Sequence, residues 1–171
     1  TVHNTADEPI YDIVIEKDFS RLAEAVEKLG IKNRRICIIT ESHVGPLYAD
    51  AVKAELEKTG NSIYVYTFEA GEANKNLNSV QDVYEFLIRN KFDRKDMLAA
   101  LGGGVTGDLV GFAAATYLRG ISFIQIPTSL LAQVDSSIGG KTGDDLRGYK
   151  NMVRAFYQPK LVYMNMSVHK S

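Results

Sequence analysis

Two glycine-rich segments carry the residue types that bind phosphate groups. Gly102, Gly104 and Gly107 fit the spacing G-x-G-x-x-G directly after the apolar run DMLAAL. Glycines in such a turn let the backbone approach a pyrophosphate, and the start of the helix that follows stabilises its negative charge. Further along the chain, the segment DSSIGGKTG, residues 135–143, contains a Gly-Lys-Thr like the end of a P-loop. A phosphorylated ligand is therefore the first hypothesis to weigh.

The second segment does not meet the requirements of a P-loop. That motif has a glycine four free positions before its Gly-Lys pair, so that the backbone can curl around the phosphates. With Lys141 as the lysine, the position is occupied by Asp135, whose carboxylate would face the phosphates it should hold. The motif should also follow a strand directly, whereas the strand-like ISFIQIP ends at Pro127. The sequence thus excludes a P-loop ATPase or GTPase.

The first segment departs from the Rossmann fingerprint. That fingerprint includes an acidic residue about 20 positions further on, and ISFIQIP offers none. The spacing alone leaves two interpretations open, a nucleotide phosphate site and a tight packing turn. Asp108 follows in the predicted first turn of a helix, where a carboxylate complements the helix dipole. Because it would repel a phosphate, a functional Asp108 should contact hydroxyl groups or a substrate.

Other charged residues lie in polar turns. GEANKN contains Glu72 and Lys75, which could bind a ribose or adenine and a phosphate, although a solvated loop explains the pair as well. Glu41, at the end of a predicted strand, could bind ribose hydroxyls or simply precede a helix. The densest stretch is 135–151, which contains Asp135, Lys141, Lys150 and Asn151. If this loop folds back, its two lysines could converge on a phosphorylated, carboxylated substrate, and a flexible, solvated loop is the alternative.

Strand-like and helical patterns alternate along the chain. The predicted strands are YDIVIE, RRICIIT, NSIYVYTFEA, DMLAAL, ISFIQIP and LVYMN. The predicted helices are FSRLAEAVEKLG with Gly30 as its C-cap, Pro46 to about Thr59, NSVQDVYEFLIRNK capped by Asn78, and GDLVGFAAATYLRG. This alternation predicts an α/β fold, a Rossmann-like, mainly parallel sheet with helices on both faces. Ligands bind at the carboxyl ends of such strands, where Glu41, Glu72, the glycines and Thr128 lie.

Composition narrows the class of protein further. A chain of 171 residues with 45% hydrophobic and 24% charged residues predicts one ordinary globular domain. A net charge of −1 without basic runs argues against a nucleic-acid partner. The single Cys37 excludes an internal disulfide, and no signal peptide or membrane-spanning run is visible in the sequence. The three histidines share no metal-site spacing. We expect a soluble, cytoplasmic protein without a membrane partner.

Three segments, GEANKN, the block from Gly102 to Gly143 and YKNMVRAFYQP, resemble the 3-dehydroquinate synthase family of the shikimate pathway. The resemblance runs from about Tyr11 to the last residue. It implies that NAD is a recycled catalyst. NAD would oxidise a ring hydroxyl of 3-deoxy-arabino-heptulosonate 7-phosphate, phosphate would leave by elimination, and reduction, ring opening and an aldol step would give 3-dehydroquinate. A divalent metal, zinc or cobalt, would polarise the oxidised oxygen.

The resemblance implies two overlapping sets of site residues. The tail Val168–Ser171 matches a further NAD-contacting segment. The set facing the substrate comprises Asp108, Asp135, Lys141, Lys150 and Asn151. The set binding NAD comprises Glu41, Gly71, Glu72, Lys75, Asn76, Gly103, Gly104, Val105, Thr106, Gly107, Asp108, Thr128, Ser129, Lys141 and Lys150, with Thr128 and Ser129 matching a Thr-Thr pair.

The family's metal ligands, one Glu and two His, lie in a helical C-terminal domain. We therefore expect residues 1–171 to form the NAD-binding N-terminal domain, inactive alone, of a longer enzyme that is a homodimer. Two positions depart from the family pattern, Asp144 after GGKTG and Arg154 before AFYQP, where a glycine is usual. Neither position carries an assigned role.

Three other functions remain open at this point. A metal-dependent alcohol or glycerol dehydrogenase would share the fold and a glycine-rich NAD loop, but a neutral polyol needs no pair of lysines. Another sugar-phosphate cyclase would tend to differ around GGKT. The third is a nucleotide-binding module without catalysis.

Overall fold

The structure, a computed structural model, describes residues 2–3, 9–71, 77–129, 132–133 and 157–168. Its strands are β1 (Val2–His3), β2 (Pro9–Glu16), β3 (Arg35–Glu41), β4 (Ser62–Phe68), β5 (Met97–Gly102), β6 (Ser122–Pro127) and β7 (Leu161–Asn165). Its helices are α1 (Leu22–Glu27), α2 (Gly45–Glu57), α3 (Leu77–Arg89) and α4 (Gly104–Thr116). No helix within these ranges is long and apolar enough to cross a membrane.

The strands form one sheet in the order β1-β2-β7-β6-β5-β3-β4. Among the described strands, β1 pairs with β2 antiparallel, and every other pair of neighbours in this order is parallel. This confirms the mainly parallel sheet, and each of the six predicted strands is present. The sequence analysis missed β1, because two residues are too short for an alternating pattern to be visible.

Successive residues of the central strands face opposite sides of the sheet. Ile36 and Ile38 of β3 pack in a core with α1 and α2, whereas Cys37 and Ile39 pack in a second core with α3 and α4. Burial raises the pKa of the Cys37 thiol, so this cysteine is an inert core side chain. Strand β5 is buried along its whole length, as its unbroken apolar run predicts. The prediction of helices on both faces is confirmed.

Helix α4 begins earlier than the sequence pattern predicts. Gly103 is extended (φ −84°, ψ −161°) and is the N-cap, so the first helical residue is Gly104 and not Gly107. The N–H of Gly107 already donates to the Gly103 carbonyl oxygen at 3.0 Å, which closes the first turn. Asp108 consequently lies in the second turn. Its predicted place in the first turn was wrong.

The ends of the other helices differ from prediction by a few residues. α2 starts within one residue of the prediction, with Pro46 in its first turn. α1 ends at the C-cap Lys28, and the left-handed Gly30 (φ +79°) lies beyond it. α3 already includes Asn78, which is therefore not its cap. The predicted continuation of α4 fails because Leu118 is left-handed (φ +49°), so a separate 3-10 turn follows Thr116.

The amino end of the sheet depends on one buried carboxylate. Asp96 is 1% exposed, and its Oδ1 accepts from the Arg35 N–H at 2.8 Å while its Oδ2 accepts from the Asp93 N–H at 2.7 Å. We expect Asp96→Ala to lower the free energy of unfolding by about 2–4 kcal/mol, because two backbone donors lose a charged acceptor. Urea unfolding measures this loss. Asp50→Ala, at an exposed position of α2, is the control and should change stability by less than about 0.5 kcal/mol.

Tyr163 should make stability depend on pH in the alkaline range. Its side chain is fully buried, its hydroxyl donates to the Asp18 carbonyl oxygen at 2.7 Å, and burial raises its pKa to about 12. An unfolded tyrosine ionises near pH ~10. The stabilisation is therefore complete below pH ~10 and lost as pH rises towards ~12. Tyr163→Phe should flatten the fall in unfolding free energy across this window, measured by urea unfolding at several pH values. An identical slope in the variant would contradict the assignment.

Candidate functional site

A crevice is expected at the carboxyl ends of β3 and β5. These neighbouring strands pair in parallel from Ile36↔Met97 to Ile39↔Ala100. The helix after β3, α2, packs on one face of the sheet, and the helix after β5, α4, packs on the other. Two parallel neighbours whose following helices diverge form a topological switch point, where ligands of such sheets bind. Glu41 and the glycine loop lie at the two sides of this point.

The glycine loop is joined to the end of the next strand. The Thr128 N–H donates to the Gly102 carbonyl oxygen at 3.0 Å, which continues the β5–β6 pairing by one bond. Gly102 has a packing reason to be glycine. A Cβ there would lie 2.6 Å from Oγ1 and 2.8 Å from Cβ of Thr106, whose side chain is 2% exposed. Thr106 therefore packs under the loop, and its side chain supports the start of α4 from below.

Among the residues that the structure describes, none requires a glycine at Gly103 or Gly104. Neither has a positive φ. A Cβ on Gly103 would meet only Ser129 Oγ, at an ordinary 3.7 Å, and a Cβ on Gly104 would meet nothing within 4 Å. The N-cap residue is Gly103, which has no side chain to cap the first backbone N–H groups of α4. The arrangement combines open space, a helix N-terminus and free approach to the backbone, which suits a phosphate group.

Ser129, two residues after the end of β6, lies beside this loop, with its Oγ 3.7 Å from the position of a Cβ on Gly103. Ser129 Oγ accepts from the Ala132 N–H at 3.1 Å. Gln133 is 3% exposed, and its Nε2 donates to the carbonyl oxygens of Pro127 at 3.3 Å and Asn165 at 3.2 Å. Gln133 thus ties the ends of β6 and β7 together. The sequence analysis did not select it, because an amide within SLLAQV gives no spacing signal.

Glu41 binds its own turn. Its Oε1 accepts from the N–H groups of His43, at 2.9 Å, and Val44. Its Oε2 lies 3.9 Å from His43 Nδ1. These contacts correspond to the alternative in which Glu41 prepares the start of a helix, since the bonds fix the turn that leads into α2.

Two long-range hydrogen bonds at this edge were not anticipated. Ser42 Oγ accepts from the Ala70 N–H at 3.0 Å, and the Tyr48 hydroxyl donates to the Val168 carbonyl oxygen at 3.0 Å. Ala70 precedes Gly71, whose left-handed φ of +89° turns the chain. The position of Ser42 directly after a strand was a signal, but nothing in the sequence identified the partners.

The structure brings together one part of the predicted site. At the carboxyl edge lie Glu41, Gly71, Gly103, Gly104, Val105, Thr106, Gly107, Asp108, Thr128 and Ser129. The other predicted residues lie outside the described ranges: Glu72, Lys75, Asn76, Asp135, Lys141, Lys150 and Asn151, as do Asp144 and Arg154. Among the residues that the structure describes, no three His, Cys, Asp or Glu side chains are grouped so that they could hold a metal ion.

Solved structures with this fold include sugar-phosphate cyclases. The structure of a 2-deoxy-scyllo-inosose synthase complexed with carbaglucose-6-phosphate, NAD+ and Co2+ superposes with a TM-score of 0.75 at 27% identity, over 92% of this chain and 42% of that one. The 2-epi-5-epi-valiolone synthase from Streptomyces hygroscopicus, with NAD+ and Zn2+ bound, gives 0.70 at 28% identity, over 92% of this chain and 43% of its own. The fold prediction is thereby confirmed.

Sequence comparison is more specific. A 3-dehydroquinate synthase from Streptococcus thermophilus is 51% identical over 158 residues, which are 92% of this chain and 44% of that enzyme. The chain thus spans less than half the length of this relative. The family model described as 3-dehydroquinate synthase N-terminal matches residues 65–171, more than half of the chain. The chain belongs to the 3-dehydroquinate synthase family.

Proposed function

We propose that this chain is the NAD-binding part of a 3-dehydroquinate synthase. The complete enzyme would convert 3-deoxy-arabino-heptulosonate 7-phosphate to 3-dehydroquinate and phosphate, with NAD regenerated in each cycle. The observation that carries the cofactor assignment is the glycine start of α4 at the switch point of the sheet, where a Cβ on Gly104 would meet no described atom within 4 Å and a Cβ on Gly103 only Ser129 Oγ. The identity of 51% to a named synthase supports this family over the cyclases with other products, at 27–28%.

The described residues fit a dinucleotide. Glycine costs conformational entropy on folding, and no described residue demands it at Gly103 or Gly104, which supports close approach of a ligand at both positions. The pyrophosphate would accept from the N–H groups at the start of α4, where the helix dipole favours negative charge. NAD supplies a hydride acceptor and donor when bound. Asp108 lies one turn further along, far enough from the N-terminus for its carboxylate to bind hydroxyl groups instead of a phosphate.

The remaining roles rest on the family resemblance. Asp135, Lys141, Lys150 and Asn151 would contact the substrate, where two lysines suit a phosphate and a carboxylate. Glu72, Lys75 and Asn76 would contact NAD.

A second, helical domain would supply the metal ligands for zinc or cobalt, so this chain alone would be inactive. We further propose that the complete enzyme is cytoplasmic, which the free thiol of Cys37 supports. That it is a homodimer rests on the family resemblance alone.

The glycines of the loop should separate stability from cofactor binding. Gly104→Ala should leave the melting temperature unchanged or slightly higher, because its Cβ meets open space and alanine favours a helix. The same variant should weaken NAD binding about tenfold or more, equal to about 1.4 kcal/mol, because the methyl group occupies the approach of the pyrophosphate. Calorimetric titration with NAD and thermal melting measure the two effects.

Gly102→Ala is the matched control for this variant. Its Cβ would lie under 3 Å from Thr106, so it should lower the melting temperature even without NAD. If Gly104→Ala binds NAD as tightly as the unchanged protein, the pyrophosphate does not approach the loop at this residue.

Turnover of the complete gene product tests the reaction itself. With zinc, the heptulosonate 7-phosphate and fewer NAD molecules than substrate, we expect many phosphates released for each NAD, with 3-dehydroquinate as the product. Phosphate assay and mass spectrometry measure this ratio and the product. Residues 1–171 alone should release none. Steady accumulation of NADH from an alcohol, without phosphate release, would instead identify a dehydrogenase.

A further inference from the structure

Two residues shortly after β3 form hydrogen bonds with distant parts of the chain: Ser42, in the connection to α2, and Tyr48, in the first turn of α2. Ser42 Oγ accepts from the N–H of Ala70, at 3.0 Å, and the Tyr48 hydroxyl donates to the carbonyl oxygen of Val168, also at 3.0 Å. The second bond spans 120 residues of sequence. These two bonds therefore fix Ala70, which follows β4, and Val168, which follows β7, relative to the end of β3 and the start of α2.

Both held residues lead into segments with a proposed role. Ala70 directly precedes Gly71–Asn76, and Val168 opens Val168–Ser171, and the family resemblance gives both segments contacts with NAD. We propose that Ser42 and Tyr48 are positioning residues for NAD binding, which act through Ala70 and Val168. The inference rests on the proposed function and deepens it, because it names side chains that orient the cofactor site without belonging to the glycine loop.

The connection is itself fixed on the sheet. Glu41 Oε1 accepts from the N–H groups of His43 and Val44, so the turn that carries Ser42 has one conformation. The ring of Tyr48 packs edge-on against Phe19, with centroids 6.2 Å apart, in the core beneath α1 and α2. The two hydroxyls are therefore presented from a rigid support. Rigid support is what a positioning residue needs.

The Ser42–Ala70 bond lies directly beyond the last residue pair of β3 and β4. The parallel pairing of β3 with β4 ends at Glu41↔Phe68, and the Ser42–Ala70 bond is a side-chain link beyond that last pair. Gly71 then turns the chain with a left-handed φ of +89°. Both bonds are only partly buried, so water can replace a deleted hydroxyl. Deleting either hydroxyl should therefore lower the affinity for NAD, because the segments after Ala70 and Val168 are held less firmly before binding. The effect on the stability of the fold should be smaller.

Two single-hydroxyl deletions test the proposal in the complete gene product with zinc. Ser42→Ala and Tyr48→Phe should each raise KM for NAD about fivefold, the effect of one hydrogen bond. The kcat at saturating NAD should stay within about twofold of the unchanged enzyme, because the bonds act on binding and not on the chemical step. Ser42→Thr keeps a hydroxyl and should restore KM for NAD. Thermal melting checks that each variant is folded.

Tyr117→Phe is the matched control. The Tyr117 hydroxyl also donates to a carbonyl oxygen, that of Phe92 at 2.8 Å, but at the amino end of the sheet. It should leave KM for NAD unchanged. Unchanged KM in both Ser42→Ala and Tyr48→Phe, or an equal rise in Tyr117→Phe, would overturn the proposal while the proposed function stands. An unchanged enzyme whose phosphate release does not depend on NAD would overturn both. If Tyr48→Phe fails to fold, Ser42→Ala with its threonine rescue decides.

Discussion

The parallel pairing of β3 with β5 is the constraint on which the site depends. Both strands are buried in the middle of the sheet, so their ends cannot shift without disrupting the cores on both faces. Since α2 and α4 pack on opposite faces, the backbone must diverge directly after Glu41 and Gly102. Divergence at this point leaves room between α2 and α4, and the loops beside it are anchored to the paired strands. The fold thus supplies the place for a ligand before any side chain contributes.

Packing beneath the loop and openness above it come from different glycines. Thr106 occupies the volume that a Cβ on Gly102 would need, so this glycine belongs to the core. The next two glycines border space that the described residues leave open. The hydrogen bond from the Thr128 N–H to the Gly102 carbonyl oxygen holds the glycine loop beside the end of β6. The glycine motif therefore contains one residue that packing requires, Gly102, and two residues with a proposed role in binding, Gly103 and Gly104. Of the two interpretations that its spacing left open, the packing turn applies to Gly102, and the phosphate site at Gly103 and Gly104 is part of the proposed function.

The sequence was sufficient for the fold because apolar patterning is a property of short windows. All six strands of the parallel sheet were predicted from runs such as DMLAAL and LVYMN, and LVYMN matched Leu161–Asn165 residue for residue. Helix ends were less accurate, since they depend on local conformation that composition does not encode. Gly103 is the N-cap and Leu118 is left-handed, so both ends of α4 and the turn that carries Asp108 were misplaced.

The positioning contacts were invisible in the sequence for a related reason. Ser42 and Tyr48 bond to backbone groups, and a backbone group carries no residue identity that could be read as a partner. Only the sheet order decides that the residue after β4 lies beside the residue after β3, and that the chain after β7 returns to α2. Such bonds contribute little to folding, because exposed backbone groups are satisfied by water in their absence. In the proposed role, the two bonds restrict Ala70 and Val168 beyond the last paired residues of the sheet. Affinity for a dinucleotide is higher when the binding residues are already ordered before it binds.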